Sequence, residues 1–358
     1  MSQTVTTAER STAAAPSSRR SLVGMVAAVA ALHVLGWGVL LLVVVPQHFA
    51  IASGGVFTAA LGVSAYLLGV RHAVDADHIA VIDNTTRKLV GEGRPAQTTG
   101  LWFSLGHSSV VLAAAVAIAA GARWVVDAVH DGDSTGATTL GVVGTIAAGA
   151  FLLFLTVTNV VTIVRLVRAQ RAVRAGDVLD EEALERHLAR RGTLAVLLTR
   201  LARRVSRPRH LYPVGLLMGL GFDTATQVAL LVLAAGATSA GLPWYALVVL
   251  PVLFAAGMSL VDSADGALMA RAYRWALVTP ERKLRYNLVV TTVSVLAAGT
   301  IGVVVLAGLA AQTWGVTTGP VAAVAGIDLE YAGLALMGLL LAVWVAALVW
   351  WRAARRRA

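Results

Sequence analysis

The chain has 358 residues, 58% of them apolar and 13% charged, with a mean hydropathy of +0.76. That balance excludes a water-soluble enzyme, and the absence of cysteine excludes a disulfide framework, a thiolate metal site and a cysteine nucleophile together. The formal charge of +10 is carried by Lys and Arg lying between apolar runs, so it describes membrane topology and not a nucleic-acid surface.

In chain order, residues 1–20 are polar, rich in Ser, Thr and Ala and without periodicity, which predicts a disordered tail. Ser18-Arg19-Arg20-Ser21 resembles a twin-arginine export signal, but the apolar run over 22–45 is too long for a signal core and reads as a first membrane span. Further runs follow at about 55–82, 101–120, 140–164, 211–235, 244–270, 288–311 and 331–351. The expectation is an all-α polytopic membrane protein with eight transmembrane helices in one domain, residues 21–351.

Every second connection is basic. Arg10, Arg19 and Arg20 precede the first span; Arg87, Lys88 and Arg94 follow the second. Twelve Arg lie within 165–209, and Arg271, Arg274, Arg282, Lys283 and Arg285 follow the sixth span. Arg352, Arg355, Arg356 and Arg357 make 352–358 a basic tail. The positive-inside rule then puts both termini in the cytoplasm and requires an even number of spans. Segment 165–209 becomes a basic cytoplasmic loop between two four-span halves, with 180–191 a short surface helix whose Glu182 and Arg186 sit at i,i+4.

Against this background the ionisable residues inside spans are informative, because each costs roughly 2.5–3.5 kcal/mol at a helix centre. The second span carries Arg71, His72, Asp75, Asp77 and His78, and the third His107 within Ser104-Leu105-Gly106-His107-Ser108-Ser109. Asp223 lies in the fifth span, Asp262 and Asp265 in the sixth, and His33 in the first. On one continuous helix His72, Asp75 and His78 would share an arc of about 120°, with Asp77 at its border. Five intramembrane Asp against one Arg leave a charge that protons or metal cations must offset. Imidazole and carboxylate without thiolate suit Ni, Co, Zn or Mn. The rival is a structural polar network in which Arg71 pairs with Asp75 and the histidines bond neighbouring helices. Within a metal site, His107 is either a ligand or a donor that orients one.

The stretch 71–79, R-H-A-V-D-A-D-H-I, resembles the signature of the nickel/cobalt transporter family, whose core is a His, four residues and then Asp-His; His72, Asp77 and His78 fill it. Residues 103–111, 220–227 and 257–265 resemble three further motifs of that family, in the same order and on separate spans. The resemblance implies eight transmembrane helices and uptake of Ni or Co across the cytoplasmic membrane, with the second-span motif essential. It also implies that His33 stands where a His or Asn is associated with metal preference. Three positions depart from the family pattern: Ser109 and Ser263 replace Thr, and Gln227 replaces a Glu.

The expected function is a secondary transporter for a divalent transition metal, which is cargo and not a cofactor, in contact with the lipid bilayer. No nucleic-acid partner is expected, no ATPase partner is evident, and no Walker A sequence is present. Efflux through the same site and a proton-coupled carrier for another solute are the alternatives. An enzyme is disfavoured, since H-E-x-x-H and clustered histidine boxes are missing. Short matches, residues 104–108 against 259–263 and 68–70 against 218–220, raise an inverted repeat around a midplane site.

Overall fold

The computed structural model describes residues 16–50, 55–119, 135–174, 205–220, 242–276, 280–329 and 331–357. Among these the protein is helical, with no strand beyond one bridge between Ala50 and Val56. Helix α1 (Pro16–Val39) continues through a π turn (Leu40–Val44) and a 3-10 turn (Val45–Gln47). Then come α2 (Ala59–His72), α3 (Ala76–Gly91), α4 (Thr99–Ala119), α5 (Thr135–Arg174) and α6 (Leu211–Gly219), the last preceded by a 3-10 turn (Pro208–His210). Helices α7 (Trp244–Ala276), α8 (Pro280–Trp314), α9 (Gly319–Ala325) and α10 (Ala332–Arg357) complete it.

Among the described residues, five helical stretches are long and apolar enough to cross a membrane: Arg19–Gln47, Thr99–Ala117, Val142–Val161, Trp244–Trp275 and Leu288–Trp314. They match the first, third, fourth, sixth and seventh expected spans. Of the expected fifth span, 211–220 is described; Asp223 and Gln227 lie outside the described residues. The eighth is represented by the apolar part of α10, Ala332–Ala346. Helix α1 starts at Pro16, inside the stretch expected as disordered tail, and α5 runs ten residues past the expected end at 164.

The expected second span is corrected. It is not one helix over 55–82 but two, α2 and α3, separated by Ala73, Val74 and Asp75, with Asp75 extended at ψ 146°. The break keeps its donors satisfied: the N–H groups of Ala73, Val74 and Asp75 bond to the carbonyls of Gly69, Arg71 and His72 at 3.0–3.1 Å. Gly333, at the start of α10, lies so close to Val74 and Ala76 that a Cβ there would collide with their backbone. The last helix therefore braces the interruption. Nor does the chain reach a loop after Ile82: α3 runs on to Gly91, and Asp83, Asn84, Thr85, Thr86 and Arg87 are all buried.

Helix α7 is central, packing on α1, α2, α3 and α4, while α6 packs on α4 and α8 on α5. Glycine permits the closest approaches. A Cβ on Gly69 or Gly257 would strike backbone at the α2–α7 crossing, one on Gly100 the carbonyl of Asp262, and one on Gly106 or Gly215 backbone at the α4–α6 crossing. Gly219 likewise abuts the backbone of His107. Helices that carry polar side chains are thus fixed by backbone contact, and their positions do not depend on flexible side chains.

Candidate metal centre

The break creates the site. On a continuous helix, six residues would separate His72 from His78 by about 9 Å along the axis. Instead the two ring centroids lie 4.7 Å apart. His107 of α4 completes a triangle, with centroids 4.9 Å from His72 and 4.8 Å from His78. One ligand nitrogen from each of the three falls within 4.8 Å of the others. Ligands held about 2.1 Å from a shared ion must lie roughly 3–4 Å apart, so a small contraction would close the site on a cation. His78 and His107 are buried, and the His72 side chain is 14% exposed.

Carboxylates flank the triangle. His72 Nδ1 donates to Asp75 Oδ2 at 2.7 Å, which turns its Nε2 toward His107 Nε2 at 3.1 Å. Two lone pairs that close repel, so either a proton or an ion must lie between the rings. Asp262, fully buried on α7, approaches His78 Nδ1 at 3.5 Å. Phe103 stands edge-on to His78 at 4.7 Å and Phe254 lies 5.9 Å from His72, forming apolar walls. Several buried polar atoms here have no partner: His78 Nε2, His107 Nδ1, Asp262 Oδ2, Asp265 Oδ2 and the hydroxyls of Ser108 and Ser263. Of these, His78 Nε2, His107 Nδ1 and Asp262 Oδ2 belong to the imidazoles and to the carboxylate that faces them, and buried polar groups without partners are uncommon.

The other expected residues fall differently. Asp75 accepts from His72. Asp77 accepts from the N–H of His78 at 2.9 Å, as an acid in the first turn of a helix does. His33 stands apart from the triangle: Nδ1 donates to the Val29 carbonyl at 2.8 Å and Nε2 accepts from the Tyr66 hydroxyl at 3.2 Å, so both ring nitrogens are engaged. Met258 is buried in the apolar cluster with Phe254 and Val111. Ser104 and Ser259 hydroxyls meet at 2.8 Å between α4 and α7, and three residues further along each helix His107 and Asp262 both face His78. The sequence echo between these segments thus has a spatial counterpart.

Beyond His78 lies a second polar centre that the sequence reading did not single out. Asp83 accepts from the Tyr273 hydroxyl through Oδ1 and from Ser294 at 3.0 Å through Oδ2. Arg87, read from sequence as a loop cation, is 8% exposed and donates to Asn84 at 2.7 Å, to Asn159 at 2.8 Å and to Thr291. Asn84 also accepts from Asn159. Helices α3, α5, α7 and α8 are joined through these side chains. The signal was present: Asp83 and Arg87 are spaced i,i+4, and Asn159 and Ser294 interrupt apolar spans.

Comparison with known proteins gives a consistent result. A family model described as NicO, high-affinity nickel-transport protein, matches residues 58–350. The chain is 45% identical over 332 residues to the nickel transporter NicT of Mycobacterium tuberculosis, covering 92% of this chain and 88% of that protein. It is 42% identical over 296 residues to a high-affinity nickel transport protein of Cupriavidus necator, covering 81% and 82%. To the cobalt transport protein NhlF of Rhodococcus rhodochrous it is 38% identical over 335 residues, covering 92% of each. No solved structure matches.

Proposed function

The chain belongs to the NicO family of high-affinity nickel-transport proteins, and on that premise we propose that it is a secondary carrier taking up Ni2+ or Co2+ across the cytoplasmic membrane through the centre formed by His72, His78 and His107. One observation carries the proposal: three imidazoles from separate helical segments converge within 4.8 Å in an apolar, buried setting with unpartnered nitrogen and oxygen atoms around them. Named relatives transport nickel and, in one case, cobalt. The family consists of transporters, not enzymes, and the ion is its cargo.

A hydrated divalent ion entering this centre exchanges water for imidazole nitrogen, a good donor for Ni and Co alike. Asp75 acts through His72, holding the ring so that Nε2 faces the ion. Asp262 offers an open oxygen beside His78, and Asp265, one turn along α7, offers the next. Asp77 adds negative potential at the helix break, and Asp223 is a further acidic contact in the fifth span. Ligation requires deprotonated donors, so protonation of the imidazoles or carboxylates promotes release. The proposal includes eight spans with both termini in the cytoplasm, the broken helix serving as the second span.

The test is accumulation of radioactive nickel by cells expressing the chain, with excess cobalt as competitor. Uptake above that of empty cells, suppressed by cobalt and lost in His72→Ala and His78→Ala at normal membrane levels, is the expected result. Accumulation below that of empty cells would reverse the direction, and normal uptake by both variants would overturn the site.

A further inference from the structure

Three segments border an open cavity of about 500 Å³ that the transport centre does not use: the beginning of α1 at Ser21, the connection into α4, and the 3-10 turn before α6. Its walls include Arg94, Arg207 and Arg209, together with Ser21, Thr98 and Trp102. Arg94 is held in position, with Nη1 donating to the Ser206 carbonyl at 2.8 Å and Nε 3.3 Å from Glu92. Arg207 and Arg209 are exposed, and among the described residues neither has a carboxylate partner. Glu92 is itself shared with Lys88 at 3.2 Å. No acidic side chain is found among the described residues that line the cavity.

Among the described residues the field inside is therefore positive, three guanidinium groups with one shared carboxylate nearby, reinforced by the N-terminal end of α4. A metal cation would be repelled; the ligand must be an anion. Its depth follows from packing. Leu22 and Met25 of α1 form one apolar cluster with Leu101 and Leu105 of α4, so the cavity lies where an apolar helix pair meets water. Trp102, 36% exposed, marks that boundary. An anion bound here has the Trp102 indole and the end of the apolar α1–α4 pair on one side and guanidinium groups on the other.

We propose that this cavity binds the phosphate group of an anionic phospholipid, with Arg207 and Arg209 bonding the phosphate oxygens and Arg94 fixing the wall that carries them. Guanidinium matches phosphate geometry and retains its charge at any physiological pH. Basic pockets between helix ends at a cytoplasmic surface are suited to such headgroups. The proposal concerns neither the cargo nor its ligands, so it stands or falls separately from nickel transport.

The experiment uses the purified full chain in neutral detergent with added phosphatidylglycerol, phosphatidylcholine or inorganic phosphate. Phosphatidylglycerol is expected to raise Tm saturably by about 2–4 °C over phosphatidylcholine. The double variant Arg207→Gln/Arg209→Gln is expected to lose that rise and, in native mass spectrometry, to retain fewer phosphatidylglycerol adducts while still accumulating nickel in cells. Equal effects of the two lipids, an undiminished rise in the double variant, or full reproduction of the rise by inorganic phosphate alone would each overturn the lipid assignment.

Discussion

Two buried polar centres sit on the same helix, five residues apart, and they are built on opposite principles. Around Asp83 and Arg87 the valences of the network are largely closed: both Asp83 carboxylate oxygens accept hydroxyl protons, both terminal guanidinium nitrogens find acceptors, and the Nε of Arg87 goes without. Around His78 they are open, with ring nitrogens, carboxylate oxygens and hydroxyls lacking partners. A closed network lowers its own energy and fixes the four helices that contribute to it. An open one is costly while empty, which is tolerable where a cation restores the missing interactions. Polarity inside a membrane protein is therefore an ambiguous sign, and satisfaction of its hydrogen bonds is what separates scaffold from site.

The sharpest way to break this contrast is to remove one member of each centre. His78→Ala is expected to lower nickel accumulation by roughly 100-fold or more while leaving the protein's thermal stability near that of the parent, since it deletes a ligand with an open valence. Arg87→Leu is expected to do the reverse in kind. It takes the guanidinium donor from Asn84, Asn159 and Thr291, leaving Asn84 only its bond from Asn159, and should cost roughly 3 kcal/mol of stability, read as a lower denaturation midpoint in detergent. Should Arg87→Leu fold normally and fail only in transport, the inner network belongs to the ion path and the division is wrong. Asp75→Ala ranks next, with a loss of about 10–100-fold in apparent metal affinity because His72 loses its orienting acceptor. Asp75→Asn keeps an oxygen at that place and should recover much of it; equal loss in both variants would make Asp75 a direct ligand. Gly333→Ala should follow, reducing uptake by about 10-fold as the backbone at Val74 shifts.

How much of this was visible in the sequence depends on which physical effect decided each feature. Long apolar runs are read locally, and α1, α4, α5, α7 and α8 lie where composition puts them. His72, His78 and His107 stood out because lipid makes ionisable residues costly, and the structure brings all three together. The interruption at residues 73–75 was hidden, since neither Gly nor Pro marks it. It is braced by Gly333, from the other end of the chain, and no window along the sequence brings those residues together. Arg87 was misplaced for a related reason. A cation after an apolar run looks like a loop charge until its partners on two other elements, Asn159 and Thr291, are known.

The smallest expected effect tests the edge of the open centre. His33 occupies a span next to the site, yet its Nδ1 proton goes to the Val29 carbonyl, and its remaining lone pair takes the Tyr66 hydroxyl. A ring in that state has nothing left with which to hold an ion, and losing it removes two neutral hydrogen bonds, about 1 kcal/mol each. His33→Gln should therefore change nickel uptake by less than about 5-fold, and Tyr66→Phe, which removes the hydroxyl and leaves the imidazole, should change it no more. Competition by cobalt gives the finer reading. If His33→Gln shifts the nickel-to-cobalt preference while Tyr66→Phe does not, the imidazole itself meets the ion at some stage of transit. If both shift it together, the hydroxyl bond is what matters: Tyr66 shares its backbone contact with Gly257 of α7, so the coupling would run through helix placement to Asp262.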